Sequence, residues 1–318
     1  MGLRTLPPRS GHQYSISFGD WHAVVTGVGA HLRELTFRGH DVVVPFDADG
    51  LVPTCNGRIL VPFPNRIADG RYVFEGHAYE LPLDEHERRN AIHGYGYRSS
   101  WALESLAEDS VTLQWRVPDM NGYPFDVLVE ATYRLDAAGL RLQVEATNNG
   151  DESAPWAMGF HPWLSNGGHA RGDSIDADNA LCTLGLDAST HVTVDDRLLP
   201  TGTEPVEGTR FDLRRGRRLT EAFDDAWTDV RHDATGRTRA VLDRPDGMRV
   251  TIGGDASITS FQVCTGTGFP AETRPTGVAV EPQTAYANAF NTGRDLTVLS
   301  PGERTSSSLF IEAEDMHA

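Results

Sequence analysis

With 318 residues, 39% of them hydrophobic, the chain can bury a sizeable core, and its length suits one large barrel or sandwich. The 45 acidic against 28 basic residues give a formal net charge of −17. Such a field repels polyphosphate, which excludes nucleic acid as the expected partner and leaves neutral small molecules open. Cys55, Cys182 and Cys264 are far apart and lack CxxC spacing, so neither a disulfide framework nor a thiolate zinc site is expected.

The opening stretch MGLRTLPPRSGHQYSI has no apolar run long enough for a signal peptide. Nothing later approaches the roughly 18 apolar residues of a membrane span. The expectation is a soluble cytoplasmic protein without membrane contact.

Period-two alternation recurs from one end of the chain to the other, and it marks half-buried strands. It is present in YSISF (Ile16, Phe18), in VTLQWRV (Val111, Leu113, Trp115, Val117), in LRLQVEAT (Leu140, Leu142, Val144, Ala146) and in MRVTI (Met248, Val250, Ile252). Clusters such as DAAG, NNGDES and RPDG fall between these runs as hairpin connections would. The stretch from His169 to Pro205 is the least regular and is expected to be loop-rich decoration around short strands. No window of a dozen residues holds a 3.6-residue apolar period. The expected fold class is all-β, with antiparallel strands in one large sandwich and a single domain spanning residues 1–318.

Several stretches carry chemistry-bearing side chains, each with a bland reading beside it. VPFPNRIADG presents Asn65 and Arg66 after a Pro-Phe-Pro stop, where a guanidinium can reach a ligand or simply be solvated. LDEHERR has no metal-ligand spacing and reads as a solvated charged loop. NAIHGYGYRSSW carries His93 in a glycine-rich loop, and WAMGFHPWLS sets His161 among aromatics, either as a structural group or as a titrating one. EAFDDAWTDV places the acceptors Asp224 and Asp225 before the aromatic face of Trp227. GTGFPA matches a dinucleotide fingerprint, but Pro270 interrupts it and no helix follows. In GVAVEPQTAY an apolar strand runs straight into Glu281, and a carboxylate there is costly unless paired or working.

Aromatic faces with acid and amide groups suit a polyhydroxylated ring, because C–H faces pack on the aromatics while hydroxyls bond the polar groups. Imidazole plus carboxylate, without a nucleophile motif or a cofactor loop, suits proton transfer. The segments NRIADGRYVFEG, NAIHGYGYRSSW, NGYPFDVLVEATYRL, GLRLQVEATNNGDESAPWAMGFHPWL, FDDAWTDV and VAVEPQTAYANAFN occur in an order that resembles the aldose 1-epimerase (galactose mutarotase) family over nearly the whole chain.

That resemblance implies a large antiparallel β-supersandwich and a small-molecule sugar substrate, with no metal or organic cofactor. It makes Glu281 the general base and His161 the general acid of anomer interconversion. Arg66 and His93 go to the sugar hydroxyls and ring region, with Asn65 and Trp227 as further binding candidates. Asp224 goes to a hydroxyl, with Asp225 as the alternative because the family more often has a single aspartate there. For His161 to donate a proton at neutral pH, its pKa is expected to stay near or above the ordinary value.

Two other readings remain on the sequence. A phosphorylated or sulfonated hexose would need extra cations, for which Arg71, Arg88, Arg89 and Arg98 are the candidates. A non-catalytic sugar-binding domain on the same scaffold would need neither acid nor base. The preferred aldose, and the choice between monomer and homodimer, stay open.

Overall fold

The computed structural model describes residues 6–317. Two antiparallel sheets hold most of the strand residues, as the all-β expectation requires. The larger has nine strands, in the order Ala102–Leu106, Ser110–Arg116, Val127–Asp136, Gly139–Asn148, Arg304–Asp315, Met248–Gly254, Thr238–Asp243, Thr183–Leu186 and Arg217–Arg218.

Alternation in the sequence decides which face of this sheet turns inward. Leu140, Leu142, Val144 and Ala146 are at most 2% exposed, whereas Arg141 on the opposite face pairs with Asp136 and Glu312. Each such buried aliphatic contributes about 1.5–3 kcal/mol over the exposed state, so a charge at Val144 would break the strand's inner face.

The second sheet positions the site. In chain order its strands are β1 (Arg58–Leu60), β2 (Gly159–His161), β3 (Trp163–Ser165), β4 (Ala188–Val194), β5 (Pro200–Pro205), β6 (Asp224–Val230), β7 (Ser260–Cys264) and β8 (Gly277–Gln283). Their spatial order is β5-β4-β6-β7-β8-β2-β1, with β3 also pairing β8. Every residue of β8 is buried. That is why its sequence reads as a continuous apolar run instead of an alternating one. One hydrophobic cluster joins the two sheets, with Val144 and Ile311 of the larger sheet and Trp227 and Val280 of the smaller among its members.

Two details differ from the sequence reading. Phe18 alternates in phase with Ile16 yet is 43% exposed, because its strand, Gln13–Phe18, lies at the edge of a separate four-stranded sheet. The stretch expected to be loops and short strands also contains a helix, α1 (Ser174–Asn179). Six residues are too few to show a 3.6-residue period.

Candidate active site

Cross-strand register builds one wall of a cleft. Asp224 pairs with Cys264, Gln262 with Glu281, Trp163 with Ala279, and His161 with Arg58. Because side chains alternate along a strand, Asp224, Gln262, Cys264, Glu281, Trp163 and His161 share one face of the second sheet. They line a cavity of about 180 Å³ together with Asn65, Arg66, His93 and Phe269.

A two-stranded ribbon supplies the facing groups. Strand Arg66–Ala68 pairs with Asn90–Ile92, which brings the flanking Asn65 and His93 together. The His93 backbone N–H donates to the Asn65 carbonyl at 2.9 Å, and the Asn65 backbone N–H donates to His93 Nδ1 at 3.1 Å. Since Nδ1 accepts, the ring proton sits on Nε2 and His93 is a neutral donor. Burial pushes its pKa well down, and His161, Arg66 and Arg58 push the same way. Asn65 and His93 both lie in the left-handed region, with φ of 56° and 65°. Such strain persists where surrounding bonds over-determine it, as these do.

Arg66 is aimed by a residue that the sequence reading leaves out of the site. Its Nε and Nη2 donate to the two carboxylate oxygens of Glu85 at 2.9 and 3.0 Å, and Nη1 donates to Asn65 Oδ1 at 3.3 Å. Glu85 also accepts from Arg88 and Asn90. Burial raises the Glu85 carboxyl, but the bonds and charge of Arg66, with the bonds from Asn90 and Arg88, together hold it below the usual range. LDEHERR is therefore more than a solvated loop: Glu85 anchors a side chain that lines the cleft. No local motif signals that pairing, which only the fold creates.

His161 and Glu281 stand side by side in the lining of the cleft, with His161 Nε2 at 3.3 Å from Glu281 Oε1 and both side chains at most 8% exposed. Burial raises the Glu281 carboxyl well above its ordinary value, and Asp224 adds to the shift; a hydrogen bond from Gln283 and the charge of Arg66 oppose it. Burial, with Arg58 adding, lowers His161 to about 3. The expectation that His161 keeps an ordinary or raised pKa is thus overturned. Desolvation disfavours both charged forms, which shifts the resting pair toward a carboxylic acid beside a neutral imidazole.

Asp224 lines the cleft and accepts from Gln262 Nε2 at 2.8 Å, while Gln262 Oε1 accepts from Asn65 at 3.2 Å. Asp225 faces the other way and is bound to His191 and Arg210, so of the doublet Asp224 is the one that lines the cleft. Trp227 requires a correction. It has the parity of Asp225, is 0% exposed and gives its Nε1–H to the Phe211 carbonyl at 2.8 Å. It is a core residue and offers no face to the cleft. The aromatics that do line it are Trp163, fixed by an Nε1–H bond to the Thr54 carbonyl at 3.0 Å, and the half-buried Phe269. Phe269 lies in the GTGFPA stretch, where the signal was an aromatic set between glycine and proline.

Ligand atoms of Cys55, His93 and His161 lie within 4.8 Å of one another. The set is poorly prepared for a metal, because His93 Nδ1 is already an acceptor and burial raises the Cys55 thiol. A larger hollow of about 510 Å³ lies nearby, lined in part by Arg244 and Arg274. Those two guanidiniums are committed to Asp246 and Asp176.

An all-β supersandwich with this cleft defines a class, the isomerases that act on carbohydrates. The profile of the family described as Aldose 1-epimerase matches residues 12–312, and the chain belongs to that family. It is 32% identical over 295 residues to the protein YihR of Escherichia coli, covering 92% of this chain and 91% of that one. It is 29% identical over 212 residues to galactose mutarotase of Rattus norvegicus, covering 64% and 58%. The fold is similar to that of a putative aldose 1-epimerase from Escherichia coli K12, with a TM-score of 0.81 at 20% identity, covering 95% of this chain and 99% of that one. No helix among the described residues is long and apolar enough to cross a membrane.

Proposed function

We propose that the protein interconverts the α and β anomers of a free hexose, with Glu281 and His161 as the acid–base pair. The observation that carries this reading is their separation of 3.3 Å in a buried cleft. The anomeric and ring oxygens of a hexose are bonded to the same carbon, so the base serving one and the acid serving the other must stand side by side.

The working form is the Glu281 carboxylate with the His161 imidazolium. It differs from the resting neutral pair only by moving one proton from Oε1 to Nε2, so the total proton count is unchanged. Glu281 takes the proton of the anomeric hydroxyl while His161 protonates the ring oxygen, and the C1–O5 bond opens to the aldehyde. Rotation about C1–C2 turns the carbonyl over. The roles then reverse and the ring closes as the other anomer. No covalent intermediate is needed, which fits a cleft built for proton transfer. Arg66, His93, Asn65 and Asp224 supply hydroxyl contacts, and two donors and a carboxylate among them hold the ring in register.

A neutral sugar is favoured over a charged one. Arg71, Arg88, Arg89 and Arg98 are tied to Glu80, Glu85, Asp69 and Asp84, and these four do not line the cleft. The guanidinium of Arg66 is already matched by Glu85. Polarimetry on freshly dissolved glucose and galactose, beside glucose 6-phosphate and its 6-sulfonate analogue, tests the reading. Acceleration with the neutral sugars is expected. Acceleration confined to the charged pair would replace the free hexose with a charged one, and binding without acceleration would make the protein a sugar-binding domain.

A further inference from the structure

Residues 265–275 form a turn that follows β7 and contributes one side chain, Phe269, to the lining of the cleft. It carries Phe269 at its tip, and the Phe269 ring packs edge-on against Trp163 with centroids 6.5 Å apart. Trp163 is 0% exposed, so of these two aromatics in the cleft Phe269, half-buried, is the one that keeps accessible surface.

The segment is held in a definite shape. Gly266 has φ of 65° and passes so close over the indole that a Cβ there would meet Trp163 at 2.9 Å. The Phe269 N–H donates back to the Gly266 carbonyl at 3.0 Å, and the N–H groups of Thr273 and Arg274 both donate to the Pro270 carbonyl at 3.0 Å. At the base, the fully buried Arg274 side chain bonds Asp176 through both terminal nitrogens and donates to the Thr265 carbonyl at 3.1 Å. Thr267 Oγ1 donates to the same Asp176 at 2.8 Å. Asp176, on α1, is thus the post to which both limbs of the turn are fastened.

We propose that Phe269 is the platform on which the C–H face of the sugar ring rests, and that Asp176 is its positioning residue through Arg274 and Thr267. The inference rests on the reading of the cleft as a hexose site. A pyranose has an apolar face and a rim of hydroxyls. Asn65, Arg66, His93, Asp224 and Gln262 answer the hydroxyls, and Phe269 is the open aromatic surface that answers the face. The platform holds ground state and transition state alike, since it touches neither the anomeric nor the ring oxygen's proton. Its loss therefore weakens binding without slowing the bound reaction.

The test is a comparison of wild type with Phe269→Ala, Phe269→Leu, Phe269→Tyr and Asp176→Asn. KM and kcat for D-galactose and D-glucose are measured by anomeric proton NMR, and Kd by calorimetry. Phe269→Ala is expected to raise KM and Kd about tenfold with kcat within about twofold. Phe269→Leu shares the defect, Phe269→Tyr restores binding, and Asp176→Asn raises KM without lowering kcat. A leucine variant equal to wild type in KM and Kd overturns the platform, because volume alone would then suffice. A fall in kcat at constant KM overturns it as well. Wild-type turnover is read in the same assay, so an inactive and non-binding wild type would reject the hexose reading, and the platform with it. An active wild type leaves any change in KM attributable to Phe269 itself.

Discussion

The pair of Glu281 and His161 works in a window set by the number of protons it holds. Ordinary values would leave one proton on the pair only between about 4.5 and 6.5. Burial inverts the order: His161 is lowered to about 3 and Glu281 is raised well above 4.5. Below the lower step both groups are protonated and no base remains. Above the upper step both have lost their protons and no acid remains. The pH profile of kcat/KM is therefore expected to be bell-shaped, with its acid limb below about pH 4.5. An acid limb near 6.5 would contradict the pair as the titrating unit. At the same scale, Glu85→Gln leaves Arg66 as a buried charge without its partner. It is expected to cost about 3 kcal/mol in urea unfolding and to raise KM, and an unchanged KM would show that Arg66 needs no anchor. Glu281, His161, Arg66, His93, Asn65 and Asp224 were all legible as candidates, because each stands in a segment that resembles the family. The proton state of His161 was not, because desolvation depends on neighbours brought in from β1 and β8.

Strand parity is the device that sorts the residues of β6, β7 and β8 between cleft and core. In β6 it sends Asp224 to the cleft side and both Asp225 and Trp227 to the other. A substitution at Trp227 should then behave as a core change. Trp227→Phe removes the bond to the Phe211 carbonyl and part of the ring volume, with an expected loss of about 2 kcal/mol. KM should stay at the wild-type value, and a raised KM in a fully folded variant would return Trp227 to the site. The strands themselves were readable wherever one face is solvated, as in Gly139–Asn148. β8 was readable only as an apolar run, and α1 was too short to leave a period. Phe269 was missed because its stretch resembled a different motif, and a loop has no periodicity to show which way a side chain points.

At the scale of the molecule, the net charge of −17 and the neutrality of the proposed substrate make a joint prediction. A field of that size slows the approach of anions and is relieved by salt, whereas a neutral hexose does not feel it. The value of kcat/KM for hexose anomerisation is expected to change little between low and physiological ionic strength. A steep rise with salt would point to an anionic sugar. The all-β architecture followed from alternation and turn chemistry alone. The joining of six distant segments into one cleft did not, since register across β6, β7, β8 and β2 is a property of the folded sheet.

The most direct test of acid–base anomerisation is the anomeric proton NMR time course of freshly dissolved α-D-galactose and α-D-glucose, with wild type and with Glu281→Gln. The wild type is expected to hasten equilibration, and the variant to lose about 100- to 10,000-fold of that acceleration while remaining folded. Equal acceleration by the two proteins would contradict acid–base catalysis by this pair, because the carboxylate would then carry no proton.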